Sequence, residues 1–270
     1  MADSKPALES FYTDHWREIE PDRLAKYDKS FLRRSSFLMK HYDAQEGEHV
    51  VDFGCGPGHL SAELAGIVGE KGQVTGLDVN ADFIARSTEV AAEHKLSNAS
   101  FQVLEAGAPW PLGDSSVDRV IFKNVLEYVP SVEDTLAEAF RCLRPGGVVK
   151  CSDSDWGFLV VEPLTPQEVS ELYGAAGPAF KDPYIGRHLR NHLQRAGLEA
   201  AIEISSGVIK SPAVAVNNMF NYARQLQTLT EERAAELQAK IDKAVDDGEF
   251  YMVLPQFLAT GTKGGGKARL

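Results

Sequence analysis

His49-Val50-Val51-Asp52-Phe53-Gly54-Cys55-Gly56-Pro57-Gly58-His59-Leu60 decides how this chain is read. Val50, Val51 and Phe53 make a short apolar strand that runs into three glycines at alternate positions, and Leu60, Leu64 and Val68 then recur at helical spacing. Glycines crowded between a strand and a helix let the backbone approach a ligand, because no Cβ stands in the way. The turn therefore predicts a binding loop.

Working outward, strands and helices alternate. Strands are expected at Val50–Phe53, Gln73–Asp78, Phe101–Leu104, Val117–Phe122 and Val148–Ser152, with helices at 59–68 and Ala81–His94. Ser131-Val132-Glu133-Asp134 resembles a capping box opening a helix that runs to Leu143, and Pro145-Gly146-Gly147 stops it. Apolar strands alternating with helices predict a parallel sheet covered on both faces. After Asp153 the rhythm breaks: helical stretches at 165–177 and 185–197 precede a strand at Ala200–Ser205, and two more, at 211–227 and 230–246, precede a last strand over 250–262. Helical insertions of this size usually cover an active site. Upstream, residues 8–42 read as helical, with Phe11, Tyr12, Trp16, Leu24, Tyr27, Phe31, Leu32, Phe37 and Leu38 on a face that packs as core or lies across a ligand mouth.

The 270 residues, 43% of them hydrophobic, suffice for one full core. A formal net charge of −11 argues against a nucleic-acid partner. The densest basic run, Arg187-His188-Leu189-Arg190-Asn191-His192, reads as a solvated helix face. Three cysteines (Cys55, Cys142, Cys151) without metal-ligand spacing point to a reducing compartment. No run is long enough for a membrane span, and Met1-Ala2-Asp3-Ser4-Lys5-Pro6 lacks a signal-peptide core. A cytoplasmic protein is expected. The C-terminal Ala268-Arg269-Leu270, after the spacer Gly264-Gly265-Gly266-Lys267, matches the form of a peroxisomal address and keeps that compartment open.

The ligand follows from the acidic residues. A dinucleotide site wants Gly-x-Gly-x-x-Gly with a pyrophosphate at the helix N-terminus. Here the spacing is Gly-x-Gly-x-Gly, and Asp52 stands two residues before Gly54, where it would repel a pyrophosphate and suit an ammonium group. Asp78, at the end of the second strand, can accept both hydroxyls of a ribose. A ribose without phosphate, joined to a cation, describes S-adenosylmethionine.

Val50-Val51-Asp52-Phe53-Gly54-Cys55-Gly56-Pro57-Gly58 resembles the first motif of class I S-adenosylmethionine-dependent methyltransferases, and Asp78 their ribose-binding acidic residue. Pro111-Leu112-Gly113-Asp114-Ser115-Ser116-Val117-Asp118-Arg119-Val120 resembles the segment leading through their fourth strand, and Leu143-Arg144-Pro145-Gly146-Gly147 the turn before their fifth. The insertions resemble the small-molecule-acting branch, UbiE-like or type 11-like. The resemblance implies an α/β fold: a Rossmann-like, seven-stranded, mostly parallel sheet with helices on both faces. It implies a helical cap over 1–45, a methyltransferase domain over 46–264 with lid insertions at about 157–184 and 209–248, and a flexible tail over 265–270.

Site roles follow from the same resemblance. Gly54, Gly56 and Gly58, with Cys55 and Pro57 between them, would pass under the methionine part while Asp52 orients the loop. Asp78 would hold the ribose with Val79 and Phe83 nearby, and Tyr27 would add a cofactor contact. The family's adenine-binding run is commonly Gly-Asp-Ala; here it is Leu104-Glu105-Ala106-Gly107-Ala108, so Glu105 is chosen for the side chain and Ala106 and Gly107 for backbone contacts. Lys123, Asn124 and Val125 would line the methionine end.

Methyl transfer from a sulfonium needs positioning and exclusion of water, and a base only when the acceptor arrives protonated. Glu127, Tyr128, Asp153 and His15 are the catalytic candidates, each with pocket lining or core packing as the alternative. Asp155 reads as a turn residue before Gly157, and His59 as structural. Tyr12, Trp16, Trp156, Asn218 and Tyr222 are the candidates for binding an acceptor, with Asn217 and Phe220 beside them in the lid. His188 and His192 stand at i and i+4, a spacing that can bind metal with a third ligand; none is in view, and no metal is expected. The function expected is methyl transfer to O, N, S or C of a small, apolar or aromatic acceptor. The alternatives are a non-catalytic S-adenosylmethionine-binding scaffold or a partner-binding module and, further off, a nicotinamide-dependent oxidoreductase.

Overall fold

The structure, a computed structural model, describes residues 11–17, 25, 35–210 and 214–264. The short helices α1 (Phe11–Arg17) and α2 (Ser35–Tyr42) precede the alternating part. That part runs β1 (His49–Phe53), α3 (His59–Val68), β2 (Gln73–Asp78), α4 (Ala81–Glu93), β3 (Ala99–Val103), β4 (Val117–Lys123), α5 (Val132–Cys142) and β5 (Leu143–Ser154). There follow β6 (Val160–Glu162), α6 (Pro166–Ala176), α7 (Ile185–Arg195), β7 (Glu199–Ser205), α8 (Val214–Gln225), α9 (Glu231–Asp246), β8 (Tyr251–Val253) and β9 (Gln256–Thr262).

Seven strands form one sheet in the order β3-β2-β1-β4-β5-β9-β7. β1 pairs in parallel with β2 and β4, and so do β2 with β3 and β4 with β5; β9 is antiparallel to both of its neighbours. The order turns around between β1 and β4, and ligands of such sheets bind beyond the strand ends at that point. The period of two along each strand covers both faces. Val50 and Ile121 point to a cluster with Leu60, Leu64 and Val68 of α3 and with Leu38 and Tyr42 of α2. Val51, Val120 and Phe122 point the other way, to Leu136 and Ala139 of α5 and Leu189 and Leu193 of α7. The three cysteines are buried and unlinked.

A third cluster stands apart from these two. It joins Phe11 of α1, Trp156, Phe180, Leu172 of α6, Phe220 and Tyr222 of α8, Leu237 of α9 and Met252 of β8. The expected final strand over 250–262 is divided. β8 leaves the main sheet to pair with β6, and β9 begins beyond Leu254-Pro255. Proline has no N–H to give a ladder, so the break falls where the strand changes sheets. Ser131 does cap α5, accepting the Asp134 N–H, while the full capping box appears at Thr165 and Glu168 on α6. No helix among the described residues is long and apolar enough to cross a membrane. The tail 265–270, with its peroxisome-like ending, lies outside the described residues, and the peroxisomal reading gains no support elsewhere.

Candidate active site

The glycine loop leaves β1 at the turn-around of the sheet. Gly54 and Cys55 both donate to Leu77 O, at 2.7 and 3.1 Å, which ties the loop to the end of β2. Gly54, Gly56 and Gly58 all have positive φ. At two of them a side chain has no room: a Cβ on Gly54 would lie 2.5 Å from Val125 Cγ2, and one on Gly58 2.4 Å from Ser87 Cβ of α4. The loop is thus held against its neighbours by close backbone approach.

Two carboxylates flank it. Asp52, 1% exposed, accepts from Ser61 Oγ at 2.6 Å. Burial lifts its pKa to about 6; Asp78 adds to the rise, while Ser61 and Lys123 oppose it. Asp78 is half-buried at the end of β2. Its Oδ2 accepts the Gly56 N–H at 2.8 Å and its Oδ1 the Asn80 N–H at 2.9 Å. Its pKa is also raised to about 6, by burial, against these bonds. The Asp78 carboxylate therefore already organises the loop.

Asn80, just beyond the end of β2, belongs to the same corner of the site and is absent from the candidates drawn from the sequence. Fully buried, it caps α4 by accepting the Phe83 N–H at 2.9 Å, and its Nδ2 donates to Trp16 O at 2.7 Å. Its signal was legible, since Asn before a helical run is a preferred N-cap. Through Asn80 the helix α1 is fastened beside Asp78. Val79 is half-buried and Phe83 buried. Beyond β3, Glu105 and Gly107 are exposed and Ala106 half-buried, on a turn that follows Leu104 N donating to Asp78 O at 2.8 Å. Lys123, Asn124 and Val125 are half-buried at the end of β4, with Asn124 at φ 50 and its N–H on Ser152 O at 2.8 Å. Tyr27 and the side chain of Tyr12 lie outside the described residues.

The catalytic and acceptor-side candidates converge. The Tyr128 ring meets His15 at 5.7 Å, Trp16 at 5.1 Å and Phe180 at 5.4 Å, and its hydroxyl is 3.3 Å from that of Tyr222. Tyr222 meets His15 and Phe180 edge-on, and Trp156 lies 5.0 Å from Phe180. His15 Nδ1 bonds back to Phe11 O within α1. Asn218 is half-buried one helical turn before Tyr222. Phe11, from the N-terminal helical face, and Phe180 complete this aromatic group; Phe180 was not singled out as a site residue, because it is distant in sequence from the others and shares no local period with them.

Glu127 and Asp153 sit beneath the aromatics, 2% and 1% exposed. Glu127 Oε2 accepts Trp156 Nε1–H at 2.7 Å. Its pKa is pushed well up, first by burial and then by Asp153. Asp153 Oδ1 accepts the Ser154 N–H at 2.9 Å, and its buried Oδ2 has no hydrogen-bond partner among the described residues. Burial raises Asp153 to about 7, against the pull of backbone N–H groups from Ser154 and from Val125 to Glu127. Burial thus favours the neutral form of both carboxyls, and the charge of Asp153 adds to this at Glu127. Asp155, by contrast, serves structure: it caps the turn at Gly157 and pairs with Arg187.

A family model described as a methyltransferase domain matches residues 44–180, just over half of the chain. A demethylmenaquinone methyltransferase of Staphylococcus epidermidis is 32% identical over 144 residues, covering 53% of this chain and 57% of that protein. An uncharacterized 37.1 kDa protein of a Streptomyces fradiae transposon is 28% identical over 231 residues, 84% of this chain and 61% of its own. Among solved structures, a SAM-dependent methyltransferase from Aquifex aeolicus matches with a TM-score of 0.54 at 18% identity, over 89% of this chain and 99% of its own, a likeness of fold. The chain thus spans less than two thirds of these curated relatives.

Proposed function

The chain belongs to the methyltransferase domain family, and on that premise we propose that it is a class I S-adenosylmethionine-dependent methyltransferase acting on a small acceptor. The observation that carries this is the pair Asp52 and Asp78 on either side of the glycine loop, both held near pKa 6 by burial. Carboxylates raised in this way favour a ligand that brings positive charge and hydroxyl donors, and they oppose a pyrophosphate. S-adenosylmethionine has the first two features and lacks the third, so these residues fit it.

In this reading Asp78 takes the ribose, with Val79 and Phe83 beside it, and Glu105, Ala106 and Gly107 face the adenine. Asp52 and Ser61 hold the loop, whose backbone from Gly54 to Gly58 runs along the methionine part, and Lys123 to Val125 close that end. The bound cosubstrate supplies a methyl group already activated by the sulfonium charge. The protein's work is then orientation and exclusion of water. The insertions act as a lid, and the rings of Trp16, Tyr128, Trp156, Phe180 and Tyr222 suit an apolar or aromatic acceptor. Where the acceptor arrives protonated, its proton passes to the Glu127–Asp153 pair; Asp153 Oδ2 is the available oxygen, and a pKa of about 7 matches that task.

The test is transfer of label from methyl-labelled S-adenosylmethionine to a panel of small apolar and aromatic acceptors. Labelled product supports the proposal. Binding of S-adenosylhomocysteine without transfer to any of them would instead favour a non-catalytic scaffold.

A further inference from the structure

Among the described residues, a cluster of ligating side chains takes no part in methyl transfer. Asp182 lies in the segment after Phe180, and His188 and His192 stand on successive turns of α7. Each offers one ligand atom, and the three atoms lie within 4.8 Å of one another. His188 Nδ1 is 2.7 Å from Asp182 Oδ2, and the two imidazole centroids are 6.2 Å apart. We infer that Asp182, His188 and His192 form a binding site for a zinc-class divalent metal ion, outside the methyl-transfer site and fastened to it through residues 180–184.

The donor set selects the ion. Two imidazoles and one carboxylate suit zinc, cobalt, nickel or copper, whereas magnesium and calcium prefer oxygen alone. Zinc–ligand bonds of about 2.0–2.2 Å put neighbouring ligand atoms roughly 3–3.5 Å apart. The Asp182–His188 pair is already close to that spacing, and His192 needs only a side-chain adjustment on a helix that fixes its direction. Asp182 is held in place by its second oxygen, which accepts the Tyr184 N–H at 2.9 Å. Glu133 Oε1 of α5 stands 3.1 Å from His192 Nδ1, where a carboxylate orients an imidazole ligand or takes the open fourth position. Asp182 and Glu133 also offset the charge of the ion.

The same segment is joined to the aromatic group. The Lys181 and Asp182 N–H groups donate to Glu127 O at 2.8 and 3.2 Å, and Trp156 N donates to Pro183 O at 3.0 Å. An ion bridging Asp182 to α7 would therefore anchor the strap that carries Phe180. Without metal, the same residues amount to an Asp–His hydrogen bond and a neighbouring histidine.

The experiment uses the full chain, free of tags and stripped with chelator, titrated with Co²⁺ under visible absorption and then challenged with Zn²⁺. One equivalent of Co²⁺ is expected to bind with nitrogen and oxygen ligation and no sulfur charge-transfer band, and Zn²⁺ to displace it where Mg²⁺ does not. His188→Ala and His192→Ala should each weaken binding by at least the roughly 10–100-fold that losing an outer-shell partner costs. The exposed His94 replaced by Ala should bind as the native chain does. No cobalt spectrum, a sulfur-ligated spectrum, or binding indifferent to both histidine changes would overturn the inference. Thermal melting of the native chain gives an answer without any variant: Zn²⁺ should raise the melting temperature and chelator reverse it, and no shift counts against the site.

Discussion

Asp78→Ala probes the donor site most sharply. The Asp78 carboxylate accepts the Gly56 and Asn80 N–H groups at 2.8 and 2.9 Å, one on each oxygen. A carboxylate has about four acceptor positions, so about two remain for the ribose hydroxyls. Hydrogen bonds to a charged group are each worth about 1.5–3 kcal/mol, and losing two costs about 3–6 kcal/mol, or roughly 10²- to 10⁴-fold in affinity. The change also strands two backbone donors at about 1–3 kcal/mol each, so the variant should lose about 2–6 kcal/mol of stability, less where water replaces the carboxylate. Asn80 still caps α4 through the Phe83 N–H, which keeps that helix in place. Calorimetric titration with S-adenosylhomocysteine measures the affinity, and circular dichroism with urea unfolding checks that the variant is folded. A folded variant that binds within a factor of about three of the native chain, under 1 kcal/mol, would refute the ribose assignment.

Other outcomes follow from the same geometry. Because Asp52 and Asp78 sit near pKa 6 and only their ionised forms attract a cation, affinity for S-adenosylmethionine should fall by up to about tenfold per pH unit below 6 for each of them, and level off above 7. Conversely, the unliganded fold holds more protons than the unfolded chain between about pH 4 and 6, so these groups make its stability decline as pH rises through that window; pH-independent affinity and melting would contradict both statements. Gly58→Ala and Gly107→Ala share a φ near +80°, but only the former would press a Cβ within 2.4 Å of Ser87, the latter meeting nothing within 4 Å. Gly107→Ala should cost about 1–2 kcal/mol and Gly58→Ala about 1–3 kcal/mol more in urea unfolding, and equal costs would deny the close approach of loop and α4. Glu127→Gln keeps an acceptor for Trp156 Nε1 and removes repulsion with Asp153, so stability at pH 8 should hold or rise; a loss beyond about 2 kcal/mol in thermal melts would mean the pair is wrongly read.

The alternating half of the fold was legible because its strands are apolar runs that end at glycine or at a carboxylate, as in Val50–Gly54 and Val74–Asp78. The same pattern marks the donor-site loop, since a backbone that approaches a ligand leaves glycine in the sequence. The division of the last strand at Pro255 was less so: the apolar run continues through Phe250 to Leu258, and nothing local says that β8 pairs with a three-residue partner. The aromatic group was seen in part. Trp16, Tyr128, Trp156 and Tyr222 lie near strand ends or in the insertions, where a site is expected, whereas Phe180 joins them only through the path of the chain after α6. Asp182 was hidden for the same reason. His188 and His192 declare their common face by spacing, but a residue ahead of the helix is aimed by the turn at Tyr184, which no periodicity encodes.

The central claim is that the glycine loop between Asp52 and Asp78 takes a cationic nucleoside without phosphate. Calorimetric titration of the native chain with S-adenosylmethionine, and separately with a nicotinamide dinucleotide, tests it directly. One site with affinity in the micromolar range is expected for the first, and no measurable heat for the second. Binding of the dinucleotide with no heat from S-adenosylmethionine would contradict it.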